Sequence, residues 1–198
     1  MYLSFVQSTF DAIMNSSSIK KVVVIGPEST GKSTLCEQLA SHYKTLWCRE
    51  YAREFLLQHG MNYSYDDLLT IAKGQLSLED KFTREVEEGN AGDPLLFIDT
   101  DMYVMKVWCE FVFGKTHPFI TEQIAERKYD LYLLCNIDLP WVKDELREYP
   151  DIERRQKLFN IYKDILSNQR VSWTIISGNY EERLHSAISA VDRLLEKK

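Results

Sequence analysis

Residues 22–33 read VVVIGPESTGKS, an apolar β-branched run that ends in a glycine and opens a GxxxxGK[ST] loop. No other stretch restricts the fold so tightly. A run of this kind, buried on both faces, belongs in a parallel sheet, and the TLCEQLASHY that follows has a helix-forming composition. Strand, loop and helix in this order make a P-loop, whose backbone N–H groups turn toward an anion at the positive end of a helix. Lys32 is then expected to reach the β- and γ-phosphates of a nucleotide, and the Ser33 hydroxyl to hold Mg²⁺.

Four further runs share this character: TLWC (45–48), LLFID (95–99), LYLLC (131–135) and WTIIS (173–177). Alternating with helical stretches, they predict an α/β fold with a five-stranded parallel sheet between helices. Ser64 with Asp67 resembles a capping box, opening a helix that runs to Glu88 and ends at Gly89. Further helices are expected after Lys32, after Tyr51 and from about Tyr180. Between Asp138 and Arg155, two prolines and crowded charge suit a mobile lid.

The 198 residues, 44% of them apolar, fit one domain at 20–198 behind an N-terminal extension at 1–19. The first residues show neither a signal peptide nor a membrane span, and the four scattered cysteines fit reduced thiols in a cytoplasmic protein. A net charge of −6 gives no sign of a nucleic-acid partner.

Motifs that are missing narrow the chemistry. Asn136-Ile-Asp138 occupies the region of a guanine-reading NKxD but lacks its lysine and spacing. LLFID is followed by Thr100 and Asp101 rather than by a water-activating glutamate, which favours phosphoryl transfer to a bound acceptor over hydrolysis. Asp99 becomes the expected partner of Mg²⁺. Asp101 is either a carboxylate of the site or the N-cap of MYVMKVWCEF, and the two roles are compatible.

An acceptor would lie beside the loop at the carboxyl ends of the strands. There, Glu50 and Glu54 are four apart, as on one helix face, with Arg53 adjacent. Glu50 could take a hydroxyl proton or bind ribose, and Arg53 could stabilise phosphate or orient the carboxylates; a surface ion pair is the plainer alternative. In the lid, Arg147 is favoured over Arg154 and Arg155 for neutralising the transferring group. Gly178, after the fifth strand, is placed near the adenine or simply turns the chain into its last helix. Trp47, Tyr51, Trp108 and Phe113 could stack on a flat base or merely pack, and His117 reads as a turn or helix-start residue. The Glu28 side chain is expected to point to Arg53, a lid arginine or the acceptor hydroxyl, or else into solvent.

GPESTGKS, REYAREF, AKGQ, FIDTD, FGKTHPF and WVKDELR, in this order, resemble the ribosylnicotinamide kinase domain of NadR-type proteins over residues 20–195. That resemblance implies a P-loop kinase fold and ATP-dependent phosphorylation of the 5′-hydroxyl of nicotinamide riboside. By position it implies that Gly26, Pro27, Glu28, Ser29, Thr30, Gly31, Lys32, Ser33 and Thr34 bind ATP. Ser33 and Asp99 would serve Mg²⁺, with Glu50, Tyr51, Arg53 and Asp101 around the acceptor. The family's adenylyltransferase and DNA-binding domains are expected to be absent. Arg49 stands where the family carries Trp, and Pro27 replaces a commoner Gly. A P-loop kinase of another nucleoside or small metabolite, or a nucleotide-dependent switch, are the competing readings.

Overall fold

Residues 19–89 and 94–196 are described by a computed structural model; most of the N-terminal extension lies outside them. Twelve elements follow in chain order: β1 Lys20–Ile25, α1 Lys32–Tyr43, β2 Leu46–Cys48, α2 Tyr51–His59, α3 Tyr65–Glu88 and β3 Leu95–Asp99, then α4 Met102–Phe113, α5 Pro118–Glu126, β4 Leu131–Cys135, α6 Ile152–Ser167, β5 Ser172–Ile176 and α7 Tyr180–Glu196. The five strands form one sheet in the order β2-β3-β1-β4-β5, and all their pairings are parallel. The five expected strands are all present, two of them (β3 and β4) with the expected ends.

Side chains alternate across a strand, and the alternation of β1 divides the core in two. Val22 and Val24 face α1 and α7, packing with Leu35, Leu39, Ala187 and Val191. Val23 and Ile25 face the opposite layer, where Val107 of α4 and Leu158, Phe159 and Tyr162 of α6 close over them. A third cluster joins α2, α3, α4 and α5 around Phe55, Ile71, Met105 and Ile120. Every strand residue of β3 and β4 is buried, as central parallel strands require.

The capping box at Ser64 and Asp67 is formed on both sides. One boundary needs correction. The expected lid does not run to Arg155: Asp151 accepts from the Arg154 N–H at 2.8 Å and caps α6, so Arg154 and Arg155 sit in a helical first turn. Residues 136–151 carry no helix or strand and form a strap. All four cysteines are free and buried. No described helix is long and apolar enough to cross a membrane.

Candidate active site

The carboxyl ends of β1, β2 and β3 open into a cleft of about 800 Å³. Residues Gly26 to Thr34 make one wall, Arg49 to Glu54 another, and Leu146 to Tyr149 of the strap a third. Asp99 and Thr100 lie on its floor. Apolar and aromatic side chains line the rest, among them Phe82, Val104, Trp108, Phe111 and Tyr162.

The loop takes its shape from β1 and β4. At Gly26, φ is 143°, and a Cβ there would stand 2.7 Å from the Cys135 carbonyl oxygen, so only glycine fits. Thr30 Oγ1 and Lys32 Nζ both donate to the Pro27 carbonyl, at 2.8 and 2.9 Å. Pro27 contributes its carbonyl here and has no N–H to lose. Behind the loop, the buried Arg183 of α7 donates to the Thr30 carbonyl at 3.0 Å, the Asn136 carbonyl at 2.9 Å and the Gly178 carbonyl at 2.7 Å, and pairs with Asp138. Gly178 itself is outside the cleft wall; its N–H goes to the Asp138 carboxylate, and it turns the chain into α7.

Ser33 Oγ donates to Asp99 Oδ2 at 2.5 Å, while Asp99 Oδ1 is buried without a partner. Burial raises the Asp99 carboxyl, and Lys32 and Ser33 oppose the rise. An unpaired buried carboxylate oxygen beside a hydroxyl fits a hard cation held by one carboxylate plus phosphate oxygens. Thr100, next in the chain, is buried with φ 79°, backbone strain at the floor of the cleft.

Glu50 differs from its expected setting. It is the extended residue that precedes α2, so it does not share a helix face with Glu54, which is exposed and bonds Gln58. Its carboxyl is pushed up to about 7 by loss of solvent and then by Asp99, with Lys32 and Arg53 pulling the other way. Gln75 of α3, which local sequence reasoning left unassigned, holds this corner. Its Oε1 accepts from the Tyr51 N–H at 2.7 Å and its Nε2 donates to the Arg49 carbonyl at 3.3 Å, gripping the chain on both sides of Glu50. Gly74 beside it makes room for the Tyr51 ring, which a Cβ would meet at 2.1 Å. A glycine inside an otherwise helical pattern was the available signal. Gly74→Ala is expected to displace Tyr51 and lower unfolding free energy by about 1–3 kcal/mol, read from denaturant midpoints.

Asp101 is the N-cap that the sequence allows. Its Oδ1 accepts from the Tyr103 and Val104 N–H groups and its Oδ2 from the Tyr132 hydroxyl at 2.8 Å. It caps α4, one of the two roles expected for it, and is not among the residues that line the cleft. Phe113 also lies outside the cleft, packed on Tyr63 and Tyr65, whereas Trp47, Tyr51 and Trp108 line it. Arg49 lies over the Trp47 ring at 5.5 Å. His117 stands at the N-cap position of α5, stacks on Tyr65 at 3.6 Å and bonds its carbonyl, the helix-start setting expected for it.

The arginines take three different settings. Arg53 pairs with Asp144 of the strap at 3.0 Å and remains half exposed. Arg147 lines the cleft and donates to the Val142 carbonyl. Arg155, passed over in favour of Arg147, is buried against the loop, donating to the Ser29 carbonyl at 3.3 Å. Glu28 points to the strap backbone, a partner not foreseen. Its Oε1 accepts from the Tyr149 N–H at 2.7 Å and the Trp141 indole at 3.2 Å, and its Oε2 from the Glu148 N–H at 2.9 Å.

Known proteins share this architecture. A family described as AAA domain matches residues 21–183. The trifunctional NAD biosynthesis/regulator proteins NadR of Salmonella typhimurium and Escherichia coli are 28% and 27% identical over 182 residues, covering 89% of this chain and 43% of each relative. The chain thus spans less than half the length of the curated relatives it matches. Among solved structures, NadR protein in complex with NR has a TM-score of 0.75 at 26% identity, and NadR with NAD and AMP-PNP 0.69 at 25%. Each comparison covers 91% of this chain and 51% of the other. Thymidylate kinase from Ehrlichia chaffeensis shares the fold at a TM-score of 0.65 and 12% identity, over 88% of this chain and 99% of that one. With its phosphate loop, parallel sheet and the cleft beside them, the chain belongs to the AAA-domain family and is homologous to the matched region of NadR.

Proposed function

We propose that the chain transfers the γ-phosphoryl group of ATP to the 5′-hydroxyl of nicotinamide riboside, forming nicotinamide mononucleotide. The observation that carries this reading is one continuous cleft with the phosphate loop at one wall and Glu50 among aromatic side chains at another. The likeness to a NadR structure in complex with NR supports the acceptor, and the complex with AMP-PNP supports the nucleotide.

In this reading Lys32 leaves the Pro27 carbonyl for the β/γ-phosphates, and loop N–H groups orient the triphosphate. Ser33 and Asp99 would hold Mg²⁺, which supplies charge neutralisation on the phosphate oxygens. Glu50 takes the proton of the attacking hydroxyl; a carboxyl raised to about 7 is matched to a general base working near neutral pH. Apolar walls and the strap keep water from competing for the phosphoryl group. Mixing the chain with Mg-ATP and a panel of ribosides, and identifying the phosphorylated product, tests the proposal. Equal ATP consumption with and without nicotinamide riboside overturns it.

The base assignment has its own signature. Activity requires ionised Glu50, so kcat/KM is expected to rise with pH through about 7. Glu50→Gln should lose that acid limb and fall by about 100-fold or more. An unchanged profile in the variant assigns the base elsewhere.

A further inference from the structure

We propose that Glu28 is a positioning residue that ties closure of the strap to the shape of the phosphate loop, so that nucleotide and acceptor reinforce each other's binding. The acceptor's identity rests on the kinase reading above; the coupling does not.

A carboxylate beside an anion cradle is electrostatically unfavourable unless it is turned away and occupied. Glu28 is both. It accepts from the Trp141 indole at one limb of the strap and from the Glu148 and Tyr149 N–H groups at the other. These amides lie outside helix or strand, so the carboxylate satisfies donors that the fold otherwise leaves to solvent. Ser29, next in the loop, repeats the pattern: its Oγ accepts from the Val142 N–H at 3.0 Å and its carbonyl from Arg155. Between the two limbs, Leu146 and Arg147 line the cleft.

The far side of the strap is fastened to the acceptor wall. Asp144 pairs with Arg53, and Glu148 accepts from Tyr63, whose hydroxyl accepts from the Trp108 indole at 2.9 Å. The strap thus joins the two halves of the site. Lys32 holds the peptide between Pro27 and Glu28 from within by bonding its carbonyl. Releasing that carbonyl for a phosphate alters the base on which Glu28 stands, and linkage makes the effect reciprocal.

Full-length chain carrying Glu28→Ala or Glu28→Gln tests this, with trypsin cleavage of the strap at Lys143 and Arg147 as the first readout. AMP-PNP is expected to slow cleavage of the unmodified chain by about fivefold or more, and to give Glu28→Ala no protection. In equilibrium binding to the unmodified chain, AMP-PNP should tighten nicotinamide riboside about tenfold and nicotinamide riboside should tighten AMP-PNP by the same factor, and Glu28→Ala should abolish both effects. Glu28→Gln should fall between, because its Oε1 still accepts while its amide nitrogen cannot serve the Glu148 N–H. Nucleotide protection that survives in Glu28→Ala, its absence from the unmodified chain, or mutual tightening of the two ligands that survives in Glu28→Ala overturns the coupling. Protection that depends on Glu28 in a chain that does not phosphorylate nicotinamide riboside upholds the coupling and overturns only the acceptor.

Discussion

Lys32→Ala is expected to lower kcat/KM for phosphoryl transfer by about 100- to 1,000-fold. The ammonium is the cation that the cradle itself supplies, and in the structure it sits across the loop with the Pro27 carbonyl as its partner. It is only partly buried, so its loss leaves the core untouched, and thermal unfolding should move little. A second consequence separates electrostatics from binding. Lys32 holds down the carboxyls of both Glu50 and Asp99. Residual activity in the variant should therefore show its acid limb at higher pH than the unmodified chain. Near-native turnover, or an acid limb that stays in place, contradicts this arrangement.

Asp99→Asn should be nearly as damaging to turnover, about 100-fold or more, and opposite in its effect on stability. Asp99 is fully buried, one oxygen is unpaired, and its carboxyl is raised by loss of solvent. The sign follows directly: the folded chain holds this proton to higher pH than the unfolded chain. Stability contributed by Asp99 is present below the ordinary aspartate value and is lost as pH rises through the folded one. At neutral pH the neutral amide should leave the metal-free protein equally or more stable, while its response to added Mg²⁺ weakens. Thermal melts with and without Mg²⁺, beside turnover assays, read both effects. An Asp99→Asn chain that keeps its turnover would remove Asp99 from the site.

The sheet and the phosphate loop were legible because their signals are local. Apolar runs of strand length and GxxxxGK[ST] each lie within a dozen residues, and burial on both faces leaves the central strands no ambiguity. Glu28 was readable as a position but not as a set of contacts, since its partners lie 113 to 121 residues away. The strap boundary was misplaced because Pro150 and the arginines mask a helix start that Asp151 caps locally. Asp101 admitted two roles by sequence, and the cap is formed; its bond from Tyr132, 31 residues on, had no local signal. Arg183 did carry a signal. It stands in register with Ala187, Ala190 and Val191 on the buried stripe of α7, and an arginine on such a stripe must find several acceptors.

Arg183 also sets an order of events during synthesis. Every residue that lines the cleft precedes it in the chain, yet it braces the Thr30 carbonyl of the phosphate loop across 153 positions. While the chain is being made, the loop can be complete in sequence and still lack the brace behind it. The braced form of the loop therefore arrives with the emergence of α7, after the cleft itself has been translated. A nascent chain stopped before residue 180 should carry the whole motif and bind nucleotide poorly.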